Sequence, residues 1–138
     1  MCGICGEVTF DGRTAGISSA GGNPLAAMTA QMRPRGPDAG GSFLQGHVAF
    51  GHRRLSIIDL AAASQQPMID PQLGLAIVFN GCIYNYRDLR AELVAKGYSF
   101  FSHGDTEVIL KSYAEWGPRC VERFNGMFAF AIWERNSG

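Results

Sequence analysis

The chain has 138 residues, 46% hydrophobic and 17% charged, enough for one domain with a real core. Twelve basic residues balance twelve acidic ones, which excludes the charge excess expected of a nucleic-acid or anionic-membrane binder. No signal-peptide pattern opens the chain, and the longest purely apolar run, residues 127–133, is too short to span a bilayer. The expectation is a cytoplasmic protein with no nucleic-acid and no membrane partner.

Residues 2–10 read as a strand entering a turn at Asp11-Gly12. Asn23 suits the cap of a helix carrying Leu25, Met28 and Met32, at offsets of three and four. Pro34 breaks that helix, and a glycine-rich loop follows through Gly41. Short strands are expected at 42–44 and 47–51, an extended or turn-like segment at 55–59, and a loop over 61–74. Residues 75–79, Leu-Ala-Ile-Val-Phe, form a continuous apolar run with β-branched members, the mark of a strand covered on both faces.

Two helices come next. Asn85 and Asp88 suit the start of the first, Leu89, Leu93 and Val94 its buried stripe, and Gly97 its end. The second begins near Asp105, buries Ile109, Tyr113 and Trp116, and stops at Gly117-Pro118. Residues 119–124 add a helical turn. Asn125-Gly126 then leads into 127–133, a second strand expected to be covered on both faces. Covered strands flanked by amphipathic helices predict an α+β layered domain. The chain stops almost directly after this strand, at Asn136-Ser137-Gly138, so a sheet incomplete at the C-terminus, and a truncated chain, are expected.

Four cysteines stand at 2, 5, 82 and 120; nothing else reads as secreted, so reduced thiols are expected. Removal of Met1 would place the α-amine of Cys2 on the carbon that bears its thiol. That amine has a reference pKa of about 8 and can serve as general base toward the thiol, directly or through a water. From position alone, a buried strand cysteine is the commoner meaning. Cys2 and Cys5 also form a C-x-x-C pair, but a redox pair belongs at a helix N-terminus and zinc needs two more ligands. Residues three apart on a strand face opposite sides, so no metal is expected.

Other segments carry two readings each. Arg35-Gly36-Pro37-Asp38 is turn chemistry or a shaped polar loop. Arg53 and Arg54 are a solvated pair, or one of them presents its fork to a carboxylate. Asn80-Gly81 is a hairpin turn, or an oxyanion hole made of a side-chain amide and a backbone N–H. Asp105 is a helix N-cap, or a carboxylate for a substrate ammonium.

Six segments, in order, carry a family pattern. Met1-Cys2-Gly3-Ile4, Arg35-Gly36-Pro37-Asp38, Gly51-His52-Arg53-Arg54-Leu55-Ser56-Ile57-Ile58-Asp59, Phe79-Asn80-Gly81-Cys82-Ile83-Tyr84-Asn85, Gly104-Asp105-Thr106-Glu107-Val108-Ile109-Leu110 and Gly126-Met127-Phe128-Ala129-Phe130-Ala131 resemble the glutaminase domain of glutamine-dependent asparagine synthetases, of the class II, N-terminal-nucleophile amidotransferases. Pro37-Asp38 is similar to the asparagine synthetase branch, which also includes enzymes that amidate other acceptors.

The resemblance implies a four-layer α/β/β/α sandwich over residues 1–138. It implies that Cys2 attacks the side-chain amide of glutamine to form a γ-glutamyl thioester and release ammonia. It makes Cys2, Asn80 and Gly81 catalytic, and Arg54, Leu55, Ile57, Asn80, Gly81 and Asp105 substrate-binding, with Arg54 on the α-carboxylate and Asp105 on the α-ammonium. It also implies a parent protein, with a possible homodimer, whose C-terminal synthetase domain binds ATP and Mg²⁺ and makes asparagine from aspartate. Nothing in this chain resembles an ATP site, so no cofactor is expected within it. The alternatives are a non-catalytic glutamine-binding relative and an amidotransferase for a different acceptor.

Two departures stand out. The family usually has glutamate where this chain has Cys82, and histidine where it has Pro34. A thiol cannot supply the carboxylate's charge, so weaker glutamine binding is expected, with Asp105 as the main anchor.

Overall fold

The computed structural model describes residues 2–16, 22–56 and 61–136. Among these residues nine regular elements follow in chain order: β1 (Gly3–Val8), α1 (Pro24–Gln31), β2 (Ala39–Gln45), β3 (Val48–Arg54), β4 (Met68–Asp70), β5 (Leu75–Ile83), α2 (Tyr86–Ala95), α3 (Asp105–Trp116) and β6 (Gly126–Glu134), with 3-10 turns at Ala62–Ser64 and Gly117–Arg123. The strands form two antiparallel three-stranded sheets, ordered β1-β3-β2 and β4-β5-β6.

Alternation along the strands sorts the layers. From β3, Val48 and Phe50 point inward with Phe43 of β2 and meet Ala76 and Val78 of β5, with Ile4, Ala131 and Trp133 closing the gap between the sheets. The opposite face of β5, Ile77 and Phe79, packs with Leu89 and Leu93 of α2 and Val108, Ile109 and Leu110 of α3. On the far side, Leu25 of α1 packs against Ala49 of β3 and Ala15. The layers therefore run α1, first sheet, second sheet, α2 with α3, the expected α/β/β/α sandwich. Residues 75–79 are all buried, as a strand covered on both faces requires.

Several local expectations change. Asn23 caps α1 as foreseen, its Oδ1 accepting the Ala26 N–H at 2.9 Å, but Met28 is exposed because only one side of this short helix reaches the sheet. Val94 is likewise exposed while Leu89 and Leu93 are buried. Tyr113 and Trp116 are only partly buried against the core. Asn85 holds the N-cap position of α2 as expected but makes no side-chain capping bond there; its amide donates to the Arg123 carbonyl at 3.0 Å and its Oδ1 accepts the Asn125 N–H at 2.9 Å, which ties the turn before β6 to α2.

The strands also run longer than their apolar runs. β2 already begins at Ala39 within the glycine-rich segment, β3 extends to Arg54, and Gly46-His47 form the turn between them. The loop expected over 61–74 contains β4, which pairs Met68 with Ile77 and Asp70 with Leu75. β6 is not covered on both faces. Phe128, Phe130 and Ile132 pack toward the helices and Ala131 and Trp133 toward the first sheet, whereas Met127 and Ala129 are exposed.

Candidate active site

A cleft of about 170 Å³ opens between the sheets and is lined by Cys2, Arg54, Leu55, Asn80, Gly81, Cys82 and Asp105, together with Ser64, Gln66, Phe79, Gly104, Thr106 and Met127. It is smaller than the roughly 300–1,000 Å³ pockets that take drug-sized ligands, the scale of a single amino acid. Five of the six expected substrate-binding residues and all three expected catalytic ones line it. Ile57, the remaining one, lies outside the described residues.

The even-numbered residues of the first strand face inward, which is why Cys2 reaches the cleft. Its sulfur lies against the backbone of Leu55, which donates its N–H at 3.3 Å while the Leu55 carbonyl is 3.5 Å away. Cys5, three residues on, turns to the other face, with its sulfur 3.6 Å from Thr29 Oγ1 of α1. The C-x-x-C pair is thus split across the sheet, as the strand geometry requires. All four cysteines are free thiols. Among the described residues no group of three His, Cys, Asp or Glu side chains is placed to hold a metal.

The Arg35-Gly36-Pro37-Asp38 loop braces this corner. Arg35 Nε donates to the Cys2 carbonyl at 3.3 Å. Asp38 accepts the Ser56 N–H at 2.8 Å, and its own N–H donates to the Arg54 carbonyl at 3.0 Å. A Cβ on Gly36 would come within 2.3–2.5 Å of the Arg53–Arg54 peptide, so only glycine lets the loop lie on β3. Arg53 and Arg54 point to opposite faces. Arg53 clamps the loop, donating from Nε to the Gly36 carbonyl at 2.8 Å. Arg54 is buried at the cleft, with Nη1 donating to the Ala61 carbonyl at 3.1 Å.

Asn80 and Gly81 do not form a hairpin turn. β5 continues through them to Ile83 in unbroken register with β6, Gly81 opposite Phe128. Gly81 has φ +149°, and a Cβ there would lie 2.2 Å from the Met127 carbonyl oxygen, so a side chain is excluded on both counts. Successive backbone N–H groups along a strand point to opposite edges. On one edge of β5, Phe79 donates to Gln66 Oε1 at 2.6 Å and Ile83 donates to Asp105 Oδ2 at 2.9 Å. The Gly81 N–H falls between them on that same edge, which borders the cleft. Asn80 and Cys82, one residue to either side, share the inward face with Ala76 and Val78.

Asp105 is the first residue of α3 rather than its cap; Gly104 holds the cap position. Its carboxylate is used for Ile83 instead. Burial raises its pKa above the ordinary 3.8, against backbone N–H groups of Ile83, Asp105 and Thr106 that pull it down. Burial, and then the charge of Asp105, also raise the pKa of the Cys82 thiol, so Cys82 is a neutral wall of the cleft.

His52 is fully buried between the sheets and bonds the Phe79 carbonyl through Nε2 at 3.2 Å. A carbonyl only accepts, so Nε2 carries the proton, and Nδ1 has no partner among the described residues. Burial lowers its pKa from 6.5 to about 4, with the charges of Arg54 and Arg53 pulling the same way. Unfolding restores the ordinary value, so the unfolded chain binds the extra proton between these limits. Stability should therefore be intact above pH 6.5 and fall toward pH 4, by roughly 3 kcal/mol for a shift of this size. Asp105 works in the opposite sense, stabilising most at pH below 3.8, so the comparison is with His52→Gln. Denaturant melts across this pH range should show the slope in the native chain and lose it in the variant; equal slopes would refute the assignment.

Gln66, Thr106 and Ser64 are cleft residues that pattern reading missed. Gln66 sits in an irregular connection without periodicity, and the only available signal for Thr106 was its place beside Asp105.

Two stacked antiparallel sheets enclosed by helices, with Cys2 at the cleft between them, form an α/β/β/α sandwich of the N-terminal-nucleophile hydrolase type. A solved structure, the glutamine phosphoribosylpyrophosphate amidotransferase from Bacillus subtilis, shares the fold with a TM-score of 0.53 and 24% identity, over 65% of this chain and 22% of its own. The chain belongs to the family described as the glutamine amidotransferase domain, which matches residues 1–138. It is 41% identical over 136 residues to asparagine synthetase [glutamine-hydrolyzing] 3 of Bacillus subtilis, covering 97% of this chain and 21% of that protein. With asparagine synthetase B of Escherichia coli the identity is 37% over 134 residues, covering 97% and 23%. The chain thus spans about a fifth of the length of these curated relatives. Among the described residues, no helix is long and apolar enough to cross a membrane.

Proposed function

We propose that this chain hydrolyses glutamine to glutamate and ammonia through a thioester on Cys2. The observation that carries the reading is the convergence of Cys2, Arg54, Asn80, Gly81 and Asp105 on one amino-acid-sized cleft. After Met1 removal, the α-amine of Cys2 takes the thiol proton and the sulfur attacks the side-chain amide carbon. The Asn80 amide and the Gly81 N–H receive the oxyanion. The amine returns the proton to the departing ammonia, and water then attacks the thioester to release glutamate. Arg54 pairs with the substrate α-carboxylate, Asp105 with its α-ammonium, and Leu55 lines the binding wall; a substrate-binding role for Ile57 rests on the family resemblance alone.

In the longer protein of which relatives of this kind are examples, the ammonia would pass to an ATP- and Mg²⁺-dependent synthetase domain that makes asparagine from aspartate, in the cytoplasm. The acceptor is the less constrained half, because every residue argued above contacts the donor. Homodimerisation belongs to the same reading of the parent. The test is intact-mass analysis after exposure to an electrophilic glutamine analogue, alongside an assay of glutamate release. Loss of Met1 and a single adduct on Cys2 are expected; a folded, active-concentration sample with no adduct would refute the proposal.

Cys82 supplies a sharper check. It lines the ammonium end of the cleft as a neutral thiol, so among the described residues Asp105 alone carries the charge there. Cys82→Glu should lower the KM for glutamine by about 3–10-fold, the worth of one charge-assisted contact partly screened at an open cleft. An unchanged KM would remove Cys82 from substrate recognition.

A further inference from the structure

β4 is only three residues long and ends its pairing at Met68 opposite Ile77. Beyond that point, among the described residues, the edge of β5 leading to Asn80-Gly81 has no strand beside it. Side chains take over the ladder. Gln66, two residues before β4, accepts the Phe79 N–H at 2.6 Å, and His52 from the other sheet donates to the Phe79 carbonyl at 3.2 Å. Both backbone groups of the residue preceding Asn80 are thereby held. The other end of the Gln66 amide donates to Thr106 Oγ1 at 3.4 Å, next to Asp105. Behind it, Gly41 of β2 leaves room for the Gln66 backbone; a Cβ there would lie 2.3 Å from the Gln66 carbonyl oxygen.

Gln66 lines the cleft, yet its oxygen and amide are turned to protein partners rather than to a ligand. We propose that Gln66 is a positioning residue that holds the Asn80-Gly81 edge and the N-terminus of α3 at a fixed separation, an inference that rests on the glutaminase reading above. Asn80 and Gly81 are the oxyanion donors in that reading and Asp105 is the ammonium anchor, so one side chain sets the span between the reacting end and the recognition end. Oxyanion donors act only if they are already in place when charge develops, and a shift of about 1 Å in such a group costs on the order of 10²-fold.

Gln66→Leu and Gln66→Met keep the volume and remove the bridge. In either, kcat for glutamine hydrolysis should fall about 10–100-fold while KM changes by less than about threefold and the rate of Cys2 alkylation by iodoacetamide is unchanged. The alkylation readout separates a displaced oxyanion edge from a damaged nucleophile. Thr106→Val, which cuts only the weaker link, should lose less in kcat than either. A folded Gln66 variant with native kcat overturns the proposal. So does a parallel loss of kcat and alkylation rate, or failure of both variants to fold, since each makes Gln66 a general structural residue. An inactive native chain would instead strike the glutaminase reading itself.

Discussion

Replacing Cys2 by alanine is expected to cut glutamine hydrolysis by at least about 10⁴-fold, because a covalent mechanism loses its intermediate and not merely one contact. No other thiol can take its place. Cys5 is turned to α1 on the far side of the sheet, and Cys120 is buried behind α3. Cys82 shares the cleft but is held protonated by burial and by Asp105. The fold should hardly notice, since the Cys2 sulfur makes only the long contacts to Leu55 and fills no core position. Glutamate release and a thermal melt on the same sample check both halves. A Cys2→Ala chain within tenfold of the native rate would end the thioester mechanism, and a melt lowered by many degrees would mean that Cys2 is structural.

The second large effect is on stability. Lys111 is buried on α3 with its ammonium bonded to Asp70 of β4 and 3.8 Å from Glu107 one turn earlier. Glu107 is fully buried and accepts the Phe101 N–H at 2.9 Å, the Ser102 N–H at 2.7 Å and the Ser102 hydroxyl at 2.5 Å. Asp70 accepts the N–H groups of Gln72 and Leu73, both at 3.0 Å. One cation thus sits between two carboxylates that organise the loop before Asp105 and the turn after β4. Lys111→Met strands both carboxylates in the core, and breaking a buried pair in this way costs about 3–5 kcal/mol. Urea denaturation should show it, and adding Asp70→Asn should recover part of the loss by removing one stranded charge. A loss below about 1 kcal/mol would mean that water reaches the cluster.

Much of this protein is local and so could be read from the order of its residues. The apolar run before Asn80 is a buried strand in any context that hides it. Asn23 marks a helix start through a bond to a group three residues away, and Gly97 and Gly117 end helices through their positive φ of 100° and 63°. The chemistry of the cleft was legible for a related reason. A cysteine at position 2, an Asn-Gly pair after a buried strand and an aspartate at a helix start each owe their character to immediate neighbours, and their order along the chain carries the family pattern.

What tertiary structure decided lies in contacts between distant positions. β4 is too short to announce itself and exists because Ile77 and Leu75 offer it an edge. Gln66 meets Phe79 across 13 positions, His52 meets the same residue across 27, and Lys111 meets Asp70 across 41. No periodicity encodes such pairs; each forms only after packing has excluded water and left a polar group in need of a partner. Cys2 shows both levels at once. Its identity as a candidate nucleophile follows from its place in the chain, whereas its separation from Cys5, its seat against Leu55 and the common cleft with Arg54, Asn80 and Asp105 come from two sheets stacked face to face.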